Sequence, residues 1–379
     1  MRFIIAPDSF KESLSASQAA LAMAAGIERV FVDADIRLIP IADGGEGTCE
    51  VITQALGGEI HRVQVRGPLG METTAAFGYA PDSGTAIIEV AEAIGIHLIP
   101  AASRDIWRAC SFGVGQLLQT ALDMGAQRII LGLGGSVTND GGAGMLHALG
   151  VRVLDSAGSP LPATPRGLQQ CTSVDWSAVD PRWQEVEIVI ASDVTSPATG
   201  PEGATYVFGP QKGAQLEDLP ALDTAIGRWV TALEEASGRA IGEHPGAGAA
   251  GALATGLLAF FDATITPGAD LILDLVDFSG QCDEDCIVFT GEGKIDAQTA
   301  VGKGPARVAE LARKRGARAF AFGGLVDEGA QKLLPELFDA VIPINRSVGD
   351  LAGALAGAQG NLREASAMVC HILAAHSRS

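Results

Sequence analysis

RIILGLGGSVTNDGGAGMLHALG, residues 128–150, decides the reading of the fold. An apolar run at 129–131 has the length of a buried strand. It breaks into glycines at 132, 134, 135, 141, 142 and 144, with Ser136, Thr138, Asn139 and Asp140 between them. A helical apolar pattern resumes at Met145, Leu146 and Leu149. Strand, glycine-rich loop and helix follow one another. Such a loop brings backbone N–H groups close to a ligand, and a following helix N-terminus favours an anion. The same pattern also serves as a plain tight connection. Neither common nucleotide fingerprint decides between the two. Val137 stands where G-x-G-x-x-G needs its third glycine, and Gly293-Lys294 and Gly302-Lys303 lack the Ser or Thr of a Walker A motif.

Outward from this stretch the rhythm is α/β at both ends of the chain. Residues 2–6 read as a buried strand followed by PDSFKES. Ser15 and Gln18 form a capping box before a helix reaching about residue 30. A strand at 35–40 runs into IADGGEGT (41–48), and a helix at 49–56 is stopped by Gly57-Gly58. From 59 onward three short strands with turns at 67–70 and 81–84 form a meander. A helix at 107–124 leads into the opening stretch. A strand at 187–191 enters SDVTSPATG; helices at 219–237 and 247–261 follow. At 287–289 the βαβ rhythm returns, with TGEGKIDAQTAVGKGPA (290–306) after the strand. A helix to 315, a strand at 319–322, a helix at 330–337, a strand at 340–344 and a last helix to about 375 complete it. The fold class expected is α/β: a discontinuous, Rossmann-like doubly wound domain of residues 1–60 and 282–379, with a second α/β domain, 61–281, inserted. Ligands in doubly wound sheets sit at the carboxyl ends of the strands, so the active site is expected in a cleft between the two domains.

Composition narrows the function. With 379 residues, 47% hydrophobic but only 5% aromatic, and 48 glycines, small apolar side chains do most of the packing. A net charge of −19 argues against nucleic acid and anionic membranes as partners. An anionic substrate would need local lysines or a divalent cation to offset that field. The apolar run at 3–6 is too short for a signal peptide, and the uncharged stretch 245–261 is short of a membrane span. Six scattered cysteines fit reduced thiols and a cytoplasmic location. Cys282 and Cys286 have no second pair nearby for zinc, and the six histidines show no metal spacing. His147 reads as structural.

Six blocks taken together, APDSFKES (6–13), ADGGEGT (42–48), GLGGSVTNDGGAG (132–144), FGPQKGA (208–214), GAAGALATGLLAF (248–260) and TGEGKIDAQT (290–299), resemble the bacterial glycerate kinase family. The resemblance runs from residue 3 to about 310, with a weaker tail. It implies ATP-dependent phosphorylation of D-glycerate to 2-phosphoglycerate, with Mg²⁺, in a cytoplasmic monomer or homodimer. A kinase giving 3-phosphoglycerate or using another small hydroxy acid, and a nucleotide-binding regulatory protein without catalysis, remain as alternatives.

The residues suit that chemistry. Phosphoryl transfer needs cations or N–H donors around the phosphates, a metal, and an aligned hydroxyl. Lys11, Lys212, Lys294 and Lys303 lie in glycine-rich or loop-like stretches, and Lys11 directly follows the first strand. Asp8, Asp43, Glu46, Asp193, Glu292 and Asp296 recur at inferred strand ends or nearby loops, more often than helix capping requires. For the base accepting the hydroxyl proton the order is Asp193, Asp43, Asp8; for Mg²⁺ it is Asp296 and Glu292. Substrate and phosphate contacts are expected from Ser9, Lys11, Gly44, Gly45, Glu46, Gly134, Gly135, Ser136, Thr138, Asn139, Asp140, Lys212 and Lys294. Two departures stand out. Where the family has Cys-Asp-Val followed by Asn-Pro-Leu, this chain reads Ser192-Asp193-Val194-Thr195-Ser196-Pro197, and Lys294 stands where Arg is expected, losing bidentate geometry.

Overall fold

The computed structural model describes residues 1–42, 44–300, 304–345 and 350–376, so Asp43 and Lys303 lie outside the described residues. The chain divides into two compact units: Met1–Asp43 with Gly268–Ser379, and Gly44–Pro267. Both boundaries fall earlier than the expected 60/61 and 281/282. The helix Thr48–Ala55 packs on strands of the second unit, and the helix Gly268–Leu275 packs on the helix Gly304–Lys314 of the first.

The strands, in chain order, are β1 (Arg2–Ile5), β2 (Asp35–Leu38), β3 (Glu59–Arg66), β4 (Glu72–Ala80), β5 (Thr85–Glu89), β6 (Arg128–Gly132), β7 (Arg152–Leu154), β8 (Ser173–Asp175), β9 (Glu187–Ala191), β10 (Asp262–Thr266), β11 (Cys286–Ile295), β12 (Arg318–Val326) and β13 (Ala340–Pro343). In the first unit the order is β13-β12-β11-β1-β2, and every pairing is parallel. β1 lies between β2 and β11, so the two ends of the chain share one sheet. Phe3, Phe289, Phe320 and Phe322 build its core with Met23 and Leu362 from flanking helices. The helix Ala16–Glu28 starts at the expected capping box, Gln18 N–H on Ser15 Oγ and Ser15 N–H on Gln18 Oε1.

The second unit holds a six-stranded sheet, β10-β9-β6-β5-β4-β3. The meander supplies its antiparallel edge (β3, β4), and β5, β6, β9 and β10 run parallel. The carboxyl ends of the parallel strands align: Glu89 pairs Gly132, Gly132 pairs Ala191, and Ala191 pairs Thr266. One row of four residues therefore marks where the loops of this unit begin.

Four local expectations change. The strand at 287–289 continues through Ile295, because β12 runs alongside it and pairs Glu292 with Gly323 and Lys294 with Leu325. GEGK is strand, not loop. The helix expected from 107 begins at Phe112, since the Cys110 and Ser111 N–H groups are drawn to Pro68 and Asp140 instead. The glycine/alanine-rich helix splits into Ala249–Ala252 and Ala254–Phe260, with Ala250, Gly251 and Ala252 at positive φ. The helix at 330–337 is a 3₁₀ turn, Glu328–Leu333. All six cysteines are buried free thiols. Among the described residues no helix is long and apolar enough to cross a membrane.

Candidate active site

The Gly44–Thr48 loop lies across the carboxyl-end row of the second unit. A Cβ on Gly44 would stand 2.3 Å from the Ala191 carbonyl oxygen, and one on Gly134 would stand 2.6 Å from the Gly45 Cα. Neither neighbour is a flexible side chain, so glycine is required for this close approach. Gly134 N–H then donates to the Gly44 carbonyl at 3.1 Å. Gly45 is half-buried, and Glu46 and Gly135 are exposed. Asp193 also lies exposed, two residues past the end of β9. Ser192 organises its turn: its N–H donates to the Thr266 carbonyl at 3.1 Å, and its Oγ accepts the Val194 N–H at 3.3 Å.

Much of the rest of the glycine loop is interior. Thr138, Asn139 and Asp140 are fully buried and Ser136 nearly so. Asp140 Oδ2 accepts the Ser111 N–H at 2.7 Å, the Ser111 hydroxyl at 2.8 Å and the Gly144 N–H at 3.1 Å. Its Oδ1 accepts the Gly142 N–H at 3.3 Å. The carboxylate thus occupies the start of the helix Ala143–Ala148. Burial pushes the Asp140 carboxyl up; the four donors pull against it. Asn139 Nδ2 donates to Thr205 Oγ1 at 3.0 Å, and Trp229 Nε1 holds the Gly141 carbonyl at 2.8 Å.

Lys212 is likewise no surface loop lysine. It is 2% exposed, at the end of the 3₁₀ turn Pro210–Lys212. Its Nζ donates to Ser136 Oγ at 3.0 Å and to the Thr138 carbonyl at 2.7 Å. Burial pulls its pKa down to about 7, while the Asp140 charge opposes that fall. Sequence reading missed this because loop lysines are ordinarily solvated, and only packing can bury one.

In the first unit the expected residues gather at the carboxyl edge of the parallel sheet. Asp8 N–H donates to the Gly291 carbonyl at 2.8 Å, and Ser9 N–H donates to Asp8 Oδ1 at 2.6 Å. Lys11 is exposed, in a tight turn bridged by Phe10 and Leu14. A Cβ on Gly293 would lie 3.3 Å from the Lys11 backbone nitrogen, so this turn runs beside β11. Thr299, fully buried, donates its hydroxyl to Glu292 Oε1 at 2.8 Å and accepts the Asp296 N–H at 3.2 Å. Lys294 Nζ lies 2.8 Å from Asp296 Oδ2 and 3.8 Å from Asp327 Oδ2. The hydrogen bond to Asp296 holds its pKa above the usual lysine value. Lys294 therefore stays charged, but part of that charge is already offset.

Glu292 and Asp296 are hard oxygen donors tied together through one threonine, which fits Mg²⁺. Among the described residues no three His, Cys, Asp or Glu groups gather to hold a metal ion. A cation here would complete its shell with phosphate oxygens and water, as Mg²⁺ ordinarily does. Thr299 and Asp327 escaped the sequence reading, although Thr299 closes a quoted block. Ser111 left no signal at all.

Known proteins resemble this chain along its whole length. The glycerate kinase family matches residues 3–374. A protein of Halalkalibacterium halodurans named glycerate kinase is 43% identical over 363 residues, 96% of each chain. One of Escherichia coli K12 named glycerate 2-kinase is 38% identical over 379 residues, the whole of both. A solved structure named glycerate kinase 2, from Salmonella typhimurium LT2, superposes with a TM-score of 0.89 at 39% identity, covering all of both chains. With the match spanning both units and both loop groups, this chain is a kinase belonging to the glycerate kinase family.

Proposed function

We propose that the protein transfers the γ-phosphoryl group of ATP to D-glycerate, giving 2-phosphoglycerate, in the cytoplasm. The observation that carries this reading is the end-to-end similarity to the relative named glycerate 2-kinase. The site chemistry supports it. Lys11 and the backbone beside it offer cationic and N–H contacts for phosphate, and Lys294 holds Asp296 and Asp327 in place. Glu292 and Asp296 would hold Mg²⁺, which when bound neutralises charge on the phosphates. In the second unit Gly45, Glu46, Gly134 and Gly135 present backbone and a carboxylate to the acceptor. Asp193, exposed and first in order, accepts the proton of the attacking hydroxyl, with Asp43 and then Asp8 after it.

The test is product identity: Mg-ATP and D-glycerate are incubated with the enzyme and the product is read by ¹³C and ³¹P NMR. In the proton-coupled ³¹P spectrum a doublet from the single C2 proton is expected; a triplet from the two C3 protons overturns the regiochemistry. The altered segment 192–197 favours a second reading, in which the acceptor is another small hydroxy acid. A larger kcat/KM for such an acid than for D-glycerate would establish it.

A further inference from the structure

We propose that Glu89 is the positioning residue of the Gly44–Thr48 loop, setting where Gly45 and Glu46 stand. Glu89 ends β5 and belongs to the row that also contains Gly132 and Ala191. It is 7% exposed, and its Oε1 accepts the Cys49 N–H at 2.7 Å. The Gly47 N–H is its second backbone donor. Both amides lie at the start of the helix Thr48–Ala55, where helical N–H groups have no partner within the helix. The cap residue Gly47 has no side chain to satisfy them, so a carboxylate forty positions along the chain does so.

The loop is consequently fixed at both ends. At Gly44 it is pressed on Ala191 and bonded by the Gly134 N–H. At Gly47 and Cys49 it hangs from Glu89. Gly44 and Gly47 both take left-handed φ, +87° and +91°, so the segment between them is a tight arch with Glu46 on its outside. Loss of the Glu89 end releases that arch while leaving the Gly44 end in place.

Protonation offers a handle on this contact. Burial pushes the Glu89 carboxyl up to about 7; the backbone donors lower it, and Glu92 and Glu46 raise it. Among the described residues the thiol of Cys49, itself pushed up to about 12 by burial, also faces it. A carboxylate accepts two amides; a carboxylic acid carries its own proton and accepts less well. The arch is therefore held more firmly above neutrality than below it.

This proposal rests on the reading of Gly45 and Glu46 as acceptor contacts. The experiment compares wild type, Glu89→Gln and Glu46→Gln. It measures kcat and KM for glycerate between pH 6 and 8.5, set as flanks of the Glu89 value, with hydrogen exchange of the 44–52 peptide and melting curves. Glu89→Gln is expected to stay folded, to exchange its Gly47 and Cys49 amides faster, and to lose about 10- to 100-fold in kcat/KM. It should also lose the ionisation near neutrality expected of wild type. Unchanged exchange in Glu89→Gln overturns the positioning role. If exchange rises while kcat/KM holds in both variants, Glu89 fixes the arch but the acceptor reading of Glu46 is wrong. Should Glu89→Gln fail to fold, Glu89→Asp, one methylene shorter, is measured the same way, and unchanged exchange there is equally decisive.

Discussion

The Lys212 ammonium and the Thr138 carbonyl meet at 2.7 Å inside the second unit, and both residues are buried. A lysine drawn from a glycine-rich turn thus clamps the glycine loop from within. It charges that interior at a cost, since burial disfavours its protonated form. The lowered pKa fixes a sign. Between about 7 and the ordinary value of 10.5 the unfolded chain binds a proton that the folded chain does not, so stability rises with pH across that window. Lys212→Met should flatten this rise by a few kcal/mol, on the order expected for a shift of several pKa units. Urea denaturation of both proteins at pH 7, 8.5 and 10 checks it; parallel pH dependences would refute it.

Asp140 is the organising acceptor of the glycine loop. Asp140→Ala leaves the Ser111, Gly142 and Gly144 amides without their partner. The expected cost is roughly 3–5 kcal/mol, because several buried donors lose their acceptor together. The midpoint of urea unfolding measures it, and a loss below about 1 kcal/mol would show that the loop repacks.

Gly134→Ala tests the contact between the two loops. The added Cβ meets the Gly45 Cα at 2.6 Å, and backbone, unlike a side-chain tip, has little room to give. A displaced Gly44–Thr48 loop should lower kcat/KM for glycerate by about tenfold or more. Steady-state kinetics of this variant beside wild type suffice; equal values would mean that the loop position is immaterial.

Removal of the base separates chemistry from folding. Asp193 is exposed, so Asp193→Asn should melt as wild type does while kcat falls about 10²–10⁴-fold. Asp8→Asn is the comparison, with one of its oxygens already taken by the Ser9 N–H. If Asp8→Asn alone loses turnover, the order of the two is reversed.

Metal dependence is the outcome expected if Glu292 and Asp296 hold Mg²⁺ as proposed. Excess chelator should abolish turnover, and Mg²⁺ or Mn²⁺ should restore it. Glu292→Gln should raise the Mg²⁺ concentration needed for half-activation more than it lowers kcat at saturating Mg²⁺. Direct titration of the apoprotein with Mn²⁺, followed by electron paramagnetic resonance, reads the same site without turnover.

The sequence by itself determined the βαβ rhythm at both ends, the meander between them, the capping box at Ser15, and the blocks that identify the family. These are local signals: a two- or 3.6-residue period, a turn residue, a short motif. Tertiary structure decided the rest. GEGK became strand because β12 ran alongside it, and the 107–111 segment stayed unwound because Asp140 and Pro68 claimed its amides. Packing buried Lys212, Ser136, Thr138, Asn139 and Asp140, residues of loop-like stretches whose exposure the sequence does not specify. Glu89 stood in plain view as a charge ending the apolar run TAII, but its role depended on amides forty residues away. Whether a polar group meets solvent or a partner is set by long-range packing, and no period or motif in the chain carries that information.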